Sequence, residues 1–266
     1  MATQPKIMGV LNVTPDSFSD GGRHFEVTDA IQSAQRMIEQ GADIIDIGGE
    51  STRPGAEAVS LEDEIARVIP VIEALVKITN IPISIDTSKP KVMTLAVQAG
   101  AKLINDVCAL SAESALETVA ELDADICLMH MQGSPRSMQN NPEYDDVVAD
   151  IKHFFKDRIN ACVDAGISES RLILDPGFGF GKTYEHNLEI LRRFDEFKSL
   201  GLPLLAGLSR KRMIGQMLND RKVDERVVGS VAGAIIAVQK GANIVRVHDV
   251  LATKDALMVI NKVENG

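Results

Sequence analysis

Short apolar runs rich in β-branched residues recur along the chain, and amphipathic segments of helical period fill most of the intervals between them. The runs are KIMGVL from Lys6, DIIDIG from Asp43, PISID from Pro82, KLIN from Lys102, DICLMH from Asp125, RLILD from Arg171, PLLAGLS from Pro203 and NIVRVH from Asn243. Between them lie segments such as SLEDEIARVIPVIEALV from Ser60 and YDDVVADIKHFFKDRINACVDAG from Tyr144, whose apolar residues recur at helical spacing. Gly41, Gly100, Gly166 and Gly241 each follow such a segment and open a short turn into the next run, as a helix-ending glycine does. Strands that alternate with helices pair in parallel through right-handed crossovers, and eight such units close a barrel. The pattern therefore predicts an α/β fold, a (β/α)8 TIM barrel, with an open doubly wound sheet as the runner-up. The segment from Gly207 to Leu218 is expected to hold a short extra helix after the seventh strand.

No composition shift or low-complexity linker divides the chain, so residues 1–266 read as a single domain, a length that α/β barrels reach. With 45% hydrophobic and 25% charged residues, the chain has material for a large core and no sign of disorder. A net charge of -10 offers no broad cationic field to a polyanion, so nucleic acid is a poor partner. The three cysteines, Cys108, Cys127 and Cys162, form no CxxC pair and read as buried thiols of a reducing compartment. The N-terminus lacks a secretory leader pattern, and no run is long enough to span a membrane. A cytoplasmic enzyme with no membrane partner is expected.

In a parallel barrel, whatever follows each strand gathers on one face, where such enzymes keep their chemistry. The strand ends supply Asn12, Gly48 to Thr52, Asp86, Asn105, His130, Asp175, Ser209 to Lys211, and Arg246 with His248. Any one of these can simply be the polar end of a strand. As a set they carry more weight, because several lie inside the apolar runs. Asp86 and Asp175 are costly there unless a ligand or a basic neighbour donates to them, and Lys211 is one candidate neighbour. A carboxylate matches two parallel N–H donors, so either can hold the amino and ring N–H edge of a guanidine-like heterocycle, and the Asn105 amide can read the same ring. Arg246 and His248, two apart on a strand, share a side and suggest an anion clamp. Phosphate sites of this fold favour the loops after the seventh and eighth strands, where Ser209, Arg210 and Lys211 stand.

Other motifs fall short. DPGFGFGKT from Asp175 has proline where a P-loop requires its first glycine, and its glycines miss the dinucleotide spacing. The five histidines show no zinc spacing. Magnesium asks less of a protein, because it keeps its waters and rides on substrate phosphates.

Eight segments together point to a family. MGVLNVTPDSFSDGG from Met8, DIGGESTRPGA from Asp46, SIDTSKP from Ser84, LIND from Leu103, LMHMQGSP from Leu128, LDPGFGFGKT from Leu174, GLSRKRMIG from Gly207 and RVHDV from Arg246 span nearly the whole chain, and they resemble the bacterial dihydropteroate synthases. The resemblance implies a transferase of folate biosynthesis, a target of sulfonamides. It would condense 6-hydroxymethyl-7,8-dihydropterin pyrophosphate with p-aminobenzoate, as a homodimer with Mg2+ as cofactor. By the same resemblance Asp86, Asn105, Met129, Asp175, Phe180, Gly207 and Lys211 form the pterin pocket. Asn12, Arg246 and His248 hold pyrophosphate, with Asn12 on the metal, and Phe18, Thr52, Arg53, Pro54 and Ser209 receive p-aminobenzoate. Asp175, Lys211, Asp86 and Arg246 are the expected catalytic groups. Arg212 stands where several relatives carry serine and is expected to alter the mouth of the aminobenzoate site. The loops after the first two strands are rich in Gly, Pro, Ser and Asp and are expected to be mobile, ordering on closure. Two alternatives are a pterin barrel like those of the methyltetrahydrofolate corrinoid methyltransferases, and a non-catalytic pterin or phosphate carrier. Neither needs SRK, RVH and the two glycine-rich first loops together.

Overall fold

The computed structural model of the chain describes residues 4–13, 23–51, 58–133, 138 and 141–265. The strands β1 (Lys6–Asn12), β2 (Ile44–Gly48), β3 (Ile83–Asp86), β4 (Leu103–Asp106), β5 (Asp125–Met129), β6 (Leu172–Asp175), β7 (Leu205–Ala206) and β8 (Ile244–Val247) make one parallel sheet in the order β6-β5-β4-β3-β2-β1-β8-β7. A parallel bridge between Leu174 and Leu204 brings β6 beside β7 and closes the ring, which sets aside the open sheet. The Pro203 carbonyl accepts from Leu174 N–H at 2.9 Å, and, as Pro203 has no N–H to donate, the β7 ladder begins only at Leu205.

Around the ring run α1 (Arg23–Glu39), α2 (Leu61–Leu75), α3 (Pro90–Gln98), α4 (Ala115–Ala120), α5 (Val147–Asp164), α6 (Tyr184–Arg192), α7 (Arg212–Met217), α8 (Val227–Gln239) and α9 (Val250–Asn265). The extra helix expected after the seventh strand is α7. Local chemistry starts several of these helices. Ser60 Oγ accepts the Asp63 N–H at 3.0 Å to cap α2, and Asp146 accepts from Val148 and Ala149 at 3.0 Å to cap α5. Thr183 and His186 exchange bonds in a capping box on α6. The four glycines expected to end helices all have positive φ.

Strand alternation sorts the core into two parts. Outward residues such as Ile45, Ile47, Ile85, Ile104, Ile126, Leu174 and Val245 pack against the helices in one large cluster. Inward residues Met8, Ile44, Leu103, Cys127, Ile173, Leu205 and Ile244 form a separate cluster, which plugs the lower barrel. One step higher on the same inward parity stand Asp46, Asp86, Asn105, Met129, Asp175, Gly207 and Arg246, so the barrel carries a polar layer on an apolar floor.

The DPGFGFGKT segment owes its glycines to packing. A Cβ on Gly177 (φ 71°) would lie 2.0 Å from the carbonyl oxygen of His130, and one on Gly181 (φ 60°) would lie 2.4 Å from that of Gln132. The loop after β6 thus lies directly on the loop after β5, a contact open only to residues without a side chain.

Candidate active site

Arg246 is the centre of one side of the polar layer. Its Nε donates to Asp46 Oδ2 at 2.6 Å, and its Nη2 donates to Asp86 Oδ2 at 2.8 Å. Asn105 Nδ2 donates to the same Asp46 oxygen at 3.1 Å. Asp46 Oδ1 is buried without a partner among the described residues. An orphaned carboxylate oxygen of this kind calls for a donor from a ligand or an ordered water. Burial pushes Asp86 up to about 7 against the pull of Arg246, with Asp46, Asp106 and Glu64 adding to the rise. Burial also works against the Arg246 charge, yet Asp46 and Asp86 hold its pKa above its ordinary value.

These contacts add to the expected anion clamp a pair of carboxylate partners for Arg246. Arg246 and His248 share a parity and are both partly exposed; the Arg246 guanidinium also engages two carboxylates, and His248 stands one inward position further along the strand direction. There Ser209 Oγ accepts the His248 backbone N–H at 3.1 Å and meets Nδ1 at 3.0 Å. The hydroxyl thus holds both the backbone and the ring of His248, fixing the orientation of the imidazole. Ser209, expected beside p-aminobenzoate, is therefore coupled to a residue expected beside pyrophosphate.

The opposite side is built on β6 and β7. Asp175 Oδ1 accepts Gly177 N–H at 2.8 Å, while a Cβ on Gly207 would stand 3.9 Å from Oδ2. The absence of that side chain leaves room above the carboxylate. Burial raises the Asp175 pKa, opposed by Lys211, the Gly177 N–H and Lys182. Lys211 donates to the carbonyl of Phe178, and its ammonium lies 4.5 Å from the Phe180 ring centroid. It makes no direct ion pair with Asp175. Burial lowers the Lys211 pKa to about 8, with Asp175 pulling it back up. Met129 lies beside this wall, because its register partner on β6 is Asp175.

The mouth is narrower in what it shows. Gly48 lies between Asn12 and Asp86, and a Cβ there would come 3.8 Å from Asn12 Oδ1 and 3.7 Å from Asp86 Oδ2. Phe18, Thr52, Arg53 and Pro54 lie outside the described residues. Arg212 begins α7 and is exposed.

A pocket of this make-up, acidic and amide-lined on one wall and lysine-lined on the other, suits a flat heterocycle with both donors and carbonyl acceptors. Comparison with known proteins agrees. The pattern of a family described as pterin binding enzyme matches residues 8–248. The dihydropteroate synthase of Escherichia coli strain K12 is 53% identical over 258 residues, covering 97% of this chain and 91% of that protein. The chain belongs to the dihydropteroate synthases. Among solved members of that family, the Xanthomonas albilineans enzyme with 4-aminobenzoic acid superposes with a TM-score of 0.94 at 52% identity, over 99% of this chain and 94% of that one. The same enzyme in complex with 7,8-dihydropteroate gives 0.91 at 49%, over 99% and 95%. A full-length match to dihydropteroate synthases leaves no place for the methyltransferase or silent-carrier alternatives.

Sequence reasoning passed over two buried groups of the site. Asp46 was read as part of an apolar run, although a carboxylate inside such a run is the same signal that singled out Asp86 and Asp175. Lys182, 3% exposed, donates to His130 Nδ1 at 2.9 Å, His130 O at 3.2 Å and Phe180 O at 2.8 Å. Burial drives its pKa well down. His130 itself faces outward, edge-on to Phe154 at 4.8 Å, and burial followed by the Lys182 charge takes it down to about 2. It is a neutral packing residue that helps brace the loop after β6, and it has no place in the pocket.

Proposed function

We propose that the pterin ring lies in the polar layer between the Arg246 side and the Lys211 side, where this dihydropteroate synthase joins it to p-aminobenzoate. The observation that carries the reading is the asymmetry of Asp175, which has one oxygen held by Gly177 and the other facing open space over Gly207. That oxygen can take the amino and ring N–H edge of the pterin, Lys211 can donate to the ring carbonyl, and Asn105 with Asp46 can complete the far edge. Met129 and Phe180 supply apolar contact to the ring faces.

The bond from the pterin methylene carbon to pyrophosphate oxygen breaks with its electron pair leaving on pyrophosphate. The aromatic amine nitrogen then bonds to that carbon and loses a proton. Asp175 stabilises the positive charge that develops on the pterin between these steps, and the ring of buried dipoles needs no reorganisation as it does so. No residue has to bond covalently to substrate. His248, held by Ser209 through its backbone N–H and Nδ1, presents Nε2 to the departing pyrophosphate. Thr52, Arg53, Pro54 and Phe18 are proposed to receive p-aminobenzoate together with Ser209.

Asn12 Oδ1 at the mouth, beside the cleft that Gly48 leaves, is an oxygen donor of the kind magnesium accepts. Among the described residues no three His, Cys, Asp or Glu side chains gather for a metal. That donor set fits an ion carried mainly by substrate phosphates, with Asn12 as its protein ligand. When bound, Mg2+ would neutralise charge on pyrophosphate.

Exposed Val228 and Ile236 on α8 and Leu251, Met258, Val259 and Val263 on α9 form an apolar face that supports a homodimer, to be checked by light scattering. Among the described residues no helix is long and apolar enough to cross a membrane, and the three cysteines are free, which supports a cytoplasmic place. Incubation with the pterin pyrophosphate, p-aminobenzoate and Mg2+ tests the activity. Release of pyrophosphate without dihydropteroate would reduce the protein to a hydrolase, and no release would refute the assignment.

A further inference from the structure

An ion cluster at the base of the second loop takes no part in the chemistry above. Glu50 follows β2 and divides its oxygens. Oε1 accepts the backbone N–H of Val59 at 3.2 Å, on the returning side of the loop, and Oε2 pairs with the Lys89 ammonium. The same ammonium pairs with Oε2 of Glu64 on α2, a carboxylate only 1% exposed whose other oxygen has no partner among the described residues. Arg67, one turn further along α2, donates to the Gly49 carbonyl at 2.8 Å. A Cβ on Gly49 would come 2.7 Å from Val68 Cγ1, so this stem lies flat on the helix. Lys89 follows Asp86 by three residues, and thus the cation gripping the loop stands on the segment that carries a pterin-wall carboxylate.

We infer that Glu50 and Lys89 are positioning residues for the p-aminobenzoate site, fixing the departure and return of residues 52–57 relative to the pterin wall. The inference rests on the proposed placement of Thr52, Arg53 and Pro54 at that substrate. One lysine against two glutamates makes the base depend on a single cation. Without it, Glu50 and Glu64 face each other as like charges with Glu64 buried, and the stem must move to separate or hydrate them. Without the Glu50 charge, Lys89 keeps Glu64, and the staple to Val59 weakens while α2 stays in place. Lysine also reports the cluster directly, since its pKa is raised by its two glutamates in spite of burial.

The test measures steady-state constants for both substrates, and amide hydrogen exchange over residues 49–60, in wild type, Lys89→Met, Glu50→Gln and Lys89→Arg. In Lys89→Met the KM for p-aminobenzoate should rise about tenfold while that for the pterin pyrophosphate changes by no more than about twofold. Glu50→Gln should move the same way by less, and Lys89→Arg should restore most of the loss. Exchange should quicken over residues 49–60 and stay unchanged over β4. Unaltered exchange and KM in both Lys89→Met and Glu50→Gln would overturn the inference. So would a parallel rise in both KM values with a fall in melting temperature, which would make the cluster a general stabiliser. Exchange needs no turnover, so a chain that failed to form dihydropteroate even as wild type would refute the functional reading while exchange still decided the fate of the latch.

Discussion

On the β2 and β3 side of the polar layer, Arg246 donates to Asp46 and Asp86, and Asn105 adds a further bond to Asp46. On the β6 and β7 side, Asp175 accepts one backbone N–H and the Lys211 ammonium donates a hydrogen bond to a carbonyl, so carboxylate and ammonium lie on the same side without pairing. Charge that is already matched serves as framework. Charge held apart keeps its field available, and on the proposed placement of the pterin the substrate meets both groups at low local dielectric. The difference predicts that damage on the first side registers as lost stability and shape, and damage on the second as lost rate.

Arg246→Ala should have the largest effect. It leaves Asp46 and Asp86 without their cation, Asp46 keeping only the Asn105 amide, a loss of about 3–5 kcal/mol in folding stability by denaturant titration. Affinity for free pterin should fall along with that for the pyrophosphate ester. Calorimetry showing a loss confined to the ester would restore Arg246 to a pure anion-binding role and erase the contrast between the two sides.

Asp175→Asn should cost about 2–4 kcal/mol in the activation barrier, with little change in melting temperature, because one preorganised charge is removed and the Gly177 N–H keeps an oxygen acceptor. A variant keeping more than about a tenth of wild-type kcat would mean that the charge is not what Asp175 contributes.

The pH profile sharpens the same distinction. Asp86, at about 7, gains its charge as pH rises through that value, and Lys211, at about 8, loses its charge as pH rises further. The profile of kcat/KM for the pterin substrate should therefore be a narrow bell, falling on the acid side as Asp86 is protonated and on the alkaline side as Lys211 is deprotonated. Lys211→Arg should push the alkaline limb upward and leave the acid limb where it is. If both limbs moved together, the two sides would be one coupled system.

The smallest change is expected in the floor. Ile173→Val removes one methyl group from the apolar plug and should lower stability by about 0.5–1.5 kcal/mol while leaving both KM values unaltered. Altered kinetics would show that the floor transmits strain to the layer above it.

The strands were legible because each apolar run is short and bounded by a turn, and the period is the same all round the barrel. Depth along a strand was harder to read. Arg246 and His248 share a parity, but the two positions differ by roughly 7 Å along the strand direction. That step separates a wall group from a rim group. Asp46 stayed hidden because it lies between isoleucines, and only its cross-barrel partner, 200 positions away in sequence, reveals its purpose. The Glu50, Lys89 and Glu64 cluster gave no signal at all, since three charged residues on three separate elements become one object only after folding.

The close approach of the loop after β6 to the loop after β5 has a consequence for how the pocket can change under selection. Every residue other than glycine carries a Cβ, and at position 177 that atom would meet the His130 carbonyl at 2.0 Å. A point mutation in this codon that alters the amino acid must displace a neighbouring main chain. A shift at this point would carry the Gly177 N–H away from Asp175, so the substitution damages the enzyme itself. The wall behind Asp175 therefore cannot be reshaped by exchanging this one residue, and variation in the pocket has to arise elsewhere.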